Sequence, residues 1–250
     1  VFSKCAFLVV LLLTSCESDL IPYSLEQGLK QGAIVLRAED ISIVLKRPNL
    51  DAKTRQLLTL SQDIILYAKQ ELGIKTGQSY RKYVDLKRNY LTQVVMAAHK
   101  DRLESYLFSF PIVGAVPYKG YFDEEDAVQL QKDLELKDLD TYRRDVDAFS
   151  SLGWFRDPLV STMLTTEAQI TELLFHELVH LNFYFEGESD FNEAFATYYS
   201  QLAAEEFMQA RPHSFKDLAQ AKKELDLSRK QDFILGGKIR EALEKGKAFY

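Results

Sequence analysis

Residues 173 to 199 read LLFHELVHLNFYFEGESDFNEAFATYY, and this stretch decides both the fold and the chemistry expected of the chain. His176 and His180 stand one helical turn apart, so on a helix both imidazoles project from one face and reach a common point. Glu177 lies about 100° further round, beside that point without sharing it. This is the HExxH pattern of zinc hydrolases, in which two histidines hold the ion and the glutamate acts as base on a water. Phe175, Leu178, Val179 and Leu181 flank the polar trio and set it against a core, where polar groups need partners. Two hydrogen-bonded core histidines would satisfy the same pattern, but the chain has only 4 His, and two of them fall at ligand spacing around a glutamate. One Zn2+ per chain is the expectation.

Catalytic zinc usually takes three protein ligands and keeps a fourth position for water. The acids that follow are Glu186, Glu188, Asp190 and Glu193. Glu193 is favoured, because a helix opening near Phe191 would hold it rigidly, whereas glutamates within the loop EGESD are poorly pre-organised. The competing use is local: Asp190 and Glu193 have the spacing of a capping pair. A third histidine at the metzincin spacing is excluded, since Phe183 and Glu186 occupy the glycine and histidine positions of that pattern.

Working outward, Thr166 with Gln169 forms a capping-box signature, so a helix is expected from Glu167 through Tyr184, ended by Gly187. A further helix runs from about Phe191 through EAFATYYSQLAAEEF. Upstream, helices are expected over about Leu25 to Leu45 and over 51–73, the second with Asp51 as N-cap and Gly73 as its stop. Residues 90–98 and 105–116 are rich in aromatic and β-branched side chains and read as strands paired with each other. FDEEDAVQLQKDLE (122–135) reads as a helix with acids in its first turn, and DTYRRDVDAFS (140–150) as another strand. The tail from Ser214 reads as exposed helix broken near Gly236 and Gly237. The fold class is α+β, predominantly helical, with a small β-sheet.

At 250 residues, 46% hydrophobic and 27% charged, the chain suits one globular domain with a full core. Its net charge of -6 offers no basic field for a phosphate backbone, so nucleic acid is not an expected partner. The opening VFSKCAFLVVLLLTSC has one cation, Lys4, and an apolar run from Ala6 to Leu13 too short to span a bilayer, which is the shape of a secretory signal. Its end, Leu13-Thr14-Ser15-Cys16, resembles a bacterial lipobox. Residues 1–15 are then a lipoprotein signal peptide, Cys16 the lipidated residue, 16–24 a tether, 25–213 the zinc-binding domain and 214–250 a helical tail. The expected location is the periplasmic side of the bacterial cell envelope, held to the membrane through the lipid on Cys16. Glu17 in second place favours the outer membrane where a cell has two. Cys5 and Cys16 are the only cysteines, so the mature chain forms no disulfide and depends on its core and any metal.

Four blocks, FPIVGAVPYKGYFDE (110–124), SSLGWFRDPLVSTML (150–164), HELVH (176–180) and FNEAFA (191–196), together with the lipobox, resemble a family of bacterial lipoproteins known as "Putative aminopeptidase". The resemblance covers nearly everything from Cys16 to about Phe207. It implies a zincin-like fold of the gluzincin kind with an HExxH active-site helix, His176, His180 and Glu193 as zinc ligands, and Glu177 as catalytic base. Relatives extend beyond the KGKAFY at which this chain stops, which implies a shortened tail. Two departures matter. The spacing from HExxH to the glutamate is shorter than in thermolysin-like enzymes, and Thr197 stands where many of those have an aspartate, so orientation of His176 must come from elsewhere.

The expected activity is zinc-dependent peptide-bond hydrolysis, by the resemblance an aminopeptidase acting on a peptide or protein substrate. The chain has no GxMEN-type motif to receive a substrate ammonium, so a zinc endopeptidase is the near alternative. A lipid-anchored metal-binding protein with an assembly role is the distant one. An oxyanion donor is sought among Tyr118, Tyr121, Tyr184, Tyr198, Tyr199 and His213. Trp154 and Phe155 are candidates for the wall of a substrate cleft.

Overall fold

The computed structural model describes residues 20–110, 114–147, 157–185 and 188–247. Cys16, Trp154, Phe155, Glu186 and Gly187 lie outside them. In chain order the elements are α1 (Leu20–Arg37), β1 (Glu39–Asp40), α2 (Ile41–Val44), α3 (Ala52–Gln70), β2 (Lys82–Val84), β3 (Thr92–His99), β4 (Phe108–Phe110), β5 (Gly114–Val116) and β6 (Tyr118–Tyr121). They continue with α4 (Glu124–Glu135), β7 (Leu139–Val146), β8 (Leu159–Val160), α5 (Glu167–His180), α6 (Ser189–Ala210) and α7 (Leu218–Lys247).

Local signals account for most boundaries. The Asp51 carboxylate accepts from the Thr54 amide at 2.8 Å and opens α3, and Gly73 with φ of 67° follows its end. Thr166 accepts from the Gln169 amide at 3.2 Å and opens α5. The end of α5 differs from expectation: it stops at His180 rather than Tyr184. Asn182 turns its carboxamide back to the Leu178 carbonyl and across to both backbone groups of Lys75, which draws the chain out of the helix.

Three further expectations are corrected. The chain is already helical from Leu20, inside the expected tether, and α1 ends at Arg37 instead of continuing to Leu45. Segments 90–98 and 105–116 are not partners along their length. Central β3 pairs antiparallel with β6 and β7, β4 pairs with β5, and among the described residues only an isolated bridge, Ala98 to Ser105, joins the two segments. Gly236 and Gly237 do not break the tail, which is one 30-residue helix. A glycine costs a helix about 1 kcal/mol, and docking of the first half of α7 offsets that: Ala221 and Leu225 are buried in the main core.

The main core is built around α5. Ile170, Leu174, Phe175 and Leu178 are completely buried, and Phe175 meets Phe207 of α6 and Tyr67 of α3 edge-on. Each such side chain contributes roughly 1.5–3 kcal/mol through burial. A small sheet, β1-β2-β8, with β2 and β8 parallel, feeds the chain into α5. The second core lies between the β6-β3-β7 sheet and α4, around Val95, Ala97, Phe108, Ala127 and Leu134. Among the described residues no helix is long and apolar enough to cross a membrane.

Candidate metal centre

Because α5 is buried on nearly all sides, the direction of its few polar side chains is fixed by packing. His176 and His180 leave it together toward the first turns of α6, where Glu193 meets them. His176 Nε2 is 3.0 Å from His180 Nε2, Glu193 Oε2 is 3.3 Å from the first and Oε1 3.4 Å from the second. Zinc bonds of about 2.0–2.1 Å to nitrogen and oxygen in tetrahedral geometry put neighbouring donor atoms roughly 3.3 Å apart. The two imidazole nitrogens stand about one such spacing apart, each faces a different oxygen of the Glu193 carboxylate at a similar distance, and two imidazoles with a carboxylate are a zinc donor set. Among the described residues these are the only His, Cys, Asp or Glu side chains grouped at this point.

The three donors grade from interior to surface. His180 is 8% exposed, His176 21% and Glu193 65%, so the point they share opens to solvent on the Glu193 side. The two imidazoles, His176 first, hold the Glu193 carboxyl far below the usual carboxylate range, and the Glu193 carboxylate in turn raises His180. The capping alternative for Glu193 does not describe this geometry: α6 begins after Glu188 with no side-chain cap, and Glu193 faces the histidines.

Glu177 is buried beside the pair. Burial pushes its carboxyl up, against the opposing pull of His176 and His180, and Oε2 has no hydrogen-bond partner among the described residues. It is a carboxyl held dry next to the histidine pair. His180 Nδ1 is also buried without a partner there, so the orienting hydrogen bond common behind a ligating histidine is not supplied by the described residues.

The remaining sequence-selected residues divide clearly. Tyr118, on β6, is half-exposed; burial raises its phenol, and the negative charge of Glu193 is the next cause, which places Tyr118 within electrostatic reach of Glu193. Tyr121 is packed instead, edge-on to Tyr23 and against the second core. Tyr198 and Tyr199 stand on the outer face of α6 with Phe195, turned by the helical period away from Glu193. His213 sits past the far end of α6, roughly 25 Å along the axis from the first turn at 1.5 Å per residue. Trp154 and Phe155 lie outside the described residues.

Two asparagines were not singled out from sequence. Asn192 Oδ1 accepts from the Phe185 amide and Nδ2 donates to the Phe185 carbonyl, tying the connection to the turn that carries Glu193. Asn182 does the same for the end of α5. The FNE block flagged Asn192 only as a neighbour. A second acidic group, Glu26, Asp123 and Asp126, is already filled by the Lys30 ammonium at 2.5, 2.7 and 3.1 Å and is an ion-pair hub joining α1 to α4.

Compared with known proteins, residues 22–247 match the model of a family described as "Putative aminopeptidase". No curated protein and no solved structure matches.

Proposed function

The chain belongs to the "Putative aminopeptidase" family, and from that premise we propose that it is a zinc-dependent peptidase with a zincin-like active site formed by α5 and α6. The observation that carries this reading is the cluster of His176, His180 and Glu193, in which the imidazole nitrogens are 3.0 Å apart and face one carboxylate oxygen each, at 3.3 and 3.4 Å.

In this proposal His176, His180 and Glu193 hold the ion, and three ligands open to solvent suit catalysis better than a closed four-ligand structural site. Zinc, when bound, supplies Lewis acidity toward a peptide carbonyl and toward water. The rest falls to the chain. Glu177, desolvated and with Oε2 unpartnered among the described residues, takes a proton from the attacking water and returns it to the departing amine. Tyr118 is the tyrosine best placed to donate to the developing oxyanion. Tyr121, Tyr198, Tyr199 and His213 are left to packing and surface.

Within this reading an aminopeptidase is preferred on family grounds, with an endopeptidase as the nearer alternative. The lipid anchor at Cys16 and the place in the cell envelope are part of the same proposal. Incubating zinc-loaded protein with a mixed peptide library, and reading new N-termini by mass spectrometry against a Glu177→Gln blank, tests it. Stepwise release of N-terminal residues supports an aminopeptidase and internal cuts an endopeptidase. Absence of any cleavage beyond the blank rejects the peptidase reading.

A further inference from the structure

Arg229 belongs to α7, far along the chain from HELVH, yet its guanidinium reaches both helices that carry the donors. Nη2 donates to the Gln201 carbonyl at 2.9 Å, Nη1 pairs with the Glu205 carboxylate, and Nε faces Glu172 Oε1 at 3.7 Å. Glu172 sits one turn before His176 on α5. Gln201 and Glu205 lie about two and three turns beyond Glu193 on α6. The two helices thus form a hairpin held at two places. Asn192, clamped to Phe185, closes the end nearest the histidines. Arg229 closes the other.

We propose that Arg229 is a positioning residue for the metal centre: it braces α5 against α6 and so sets the distance between the histidine pair and Glu193. This rests on the metal reading above. The donor cluster tolerates little change, because the histidine nitrogens already stand 3.0 Å apart with one carboxylate oxygen 3.3 or 3.4 Å from each, and its three side chains come from two helices. Anything that lets the hairpin open or slide lengthens both histidine–glutamate distances together. Apolar packing between α5 and α6 resists separation but is non-directional. The guanidinium is hydrogen-bonded to α6 and faces Glu172 of α5 as an ion pair at 3.7 Å, a tie between the two helices that opposes sliding as well. The Arg229 side chain is 20% exposed and that of Glu172 23%, so solvent screens this contact less than a surface pair.

The role explains why the tail is folded onto the site. Leu225, one turn before Arg229, is buried in the main core and delivers the guanidinium to the hairpin. Lysine in the same place would keep the charge but offer one ammonium to acceptors spread over two helices.

The test is the zinc dissociation constant of the full chain, measured by chelator competition, with the absorption spectrum of the cobalt-substituted protein as a report on ligand geometry. Arg229→Ala is expected to weaken zinc by about tenfold, the lower end of what supporting residues contribute to metal affinity, and to change the cobalt spectrum. Arg229→Lys should recover part of the loss. Glu205→Gln removes one exposed contact of the brace without touching the core and should weaken zinc in the same direction by less, so it decides the matter if Arg229→Ala does not fold. A variant that melts earlier but keeps wild-type affinity and spectrum overturns the brace and leaves Arg229 a stability residue. If wild type itself takes up no zinc, the metal reading and the brace fall together; zinc in wild type with unchanged affinity in the variants removes the brace alone.

Discussion

Asn192 grips the peptide of Phe185 by both ends of its carboxamide, accepting from the amide at 2.9 Å and donating to the carbonyl at 2.8 Å. Asn192 is 4% exposed, so neither hydrogen bond is replaced by water when it is removed. Asn192→Ala should therefore cost about 1–3 kcal/mol, the desolvation left by unpaired groups. It should also weaken zinc, since the turn that carries Glu193 loses its anchor. Urea unfolding and chelator competition on the same preparation check both, and an unchanged zinc affinity would mean that the clamp serves the fold only.

Glu193→Ala separates ligand from cap. Two imidazoles alone make a poor site, so zinc should be lost on dialysis, whereas loss of a helix cap costs about 1 kcal/mol and leaves the metal in place. Metal content per chain after dialysis distinguishes the two outcomes. His180→Ala should lose zinc equally.

Because the proposed donors come from two docked helices, zinc should bind the folded chain in preference to the unfolded one. Stripping the metal should lower the melting temperature, and restoring zinc should recover it. The Glu193→Ala protein should show no such recovery.

How much of this was legible in the sequence follows from the range of the forces involved. The start of α5, its Thr166 cap, the cap and glycine stop of α3, and the shared face of His176 and His180 depend on neighbours within a few residues or on helical period, whereas Glu193 meets that face through the docking of α6 on α5. The end of α5 depends on Asn182 meeting Lys75, and the partners of β3 on strands reached through turns that periodicity does not specify. The helical period from Glu193 already turns Tyr198 and Tyr199 aside on α6, whereas the approach of Tyr118 to Glu193 comes from β6 and is tertiary. The continuous α7 was missed for a related reason: glycine propensity is a weak local term, and the docking at Leu225 that outweighs it is tertiary.

Cys16→Ser tests the envelope placement. With Cys16 as the lipidated residue, the variant precursor should stay uncut and lipid-free while wild type partitions into detergent. A wild-type N-terminus found by mass spectrometry to be processed without lipid contradicts it.

The central claim is hydrolysis with Glu177 as the base, and the rate of Glu177→Gln against wild type at equal zinc content tests it most directly. Glutamine keeps the size of the side chain and its place behind His176 but cannot take a proton. The account predicts full zinc, an unchanged fold, and a cleavage rate lower by roughly 2 to 4 powers of ten, the usual worth of a positioned general base. Cleavage of a confirmed substrate at the wild-type rate would contradict it and leave HELVH as a metal site without the chemistry assigned to it.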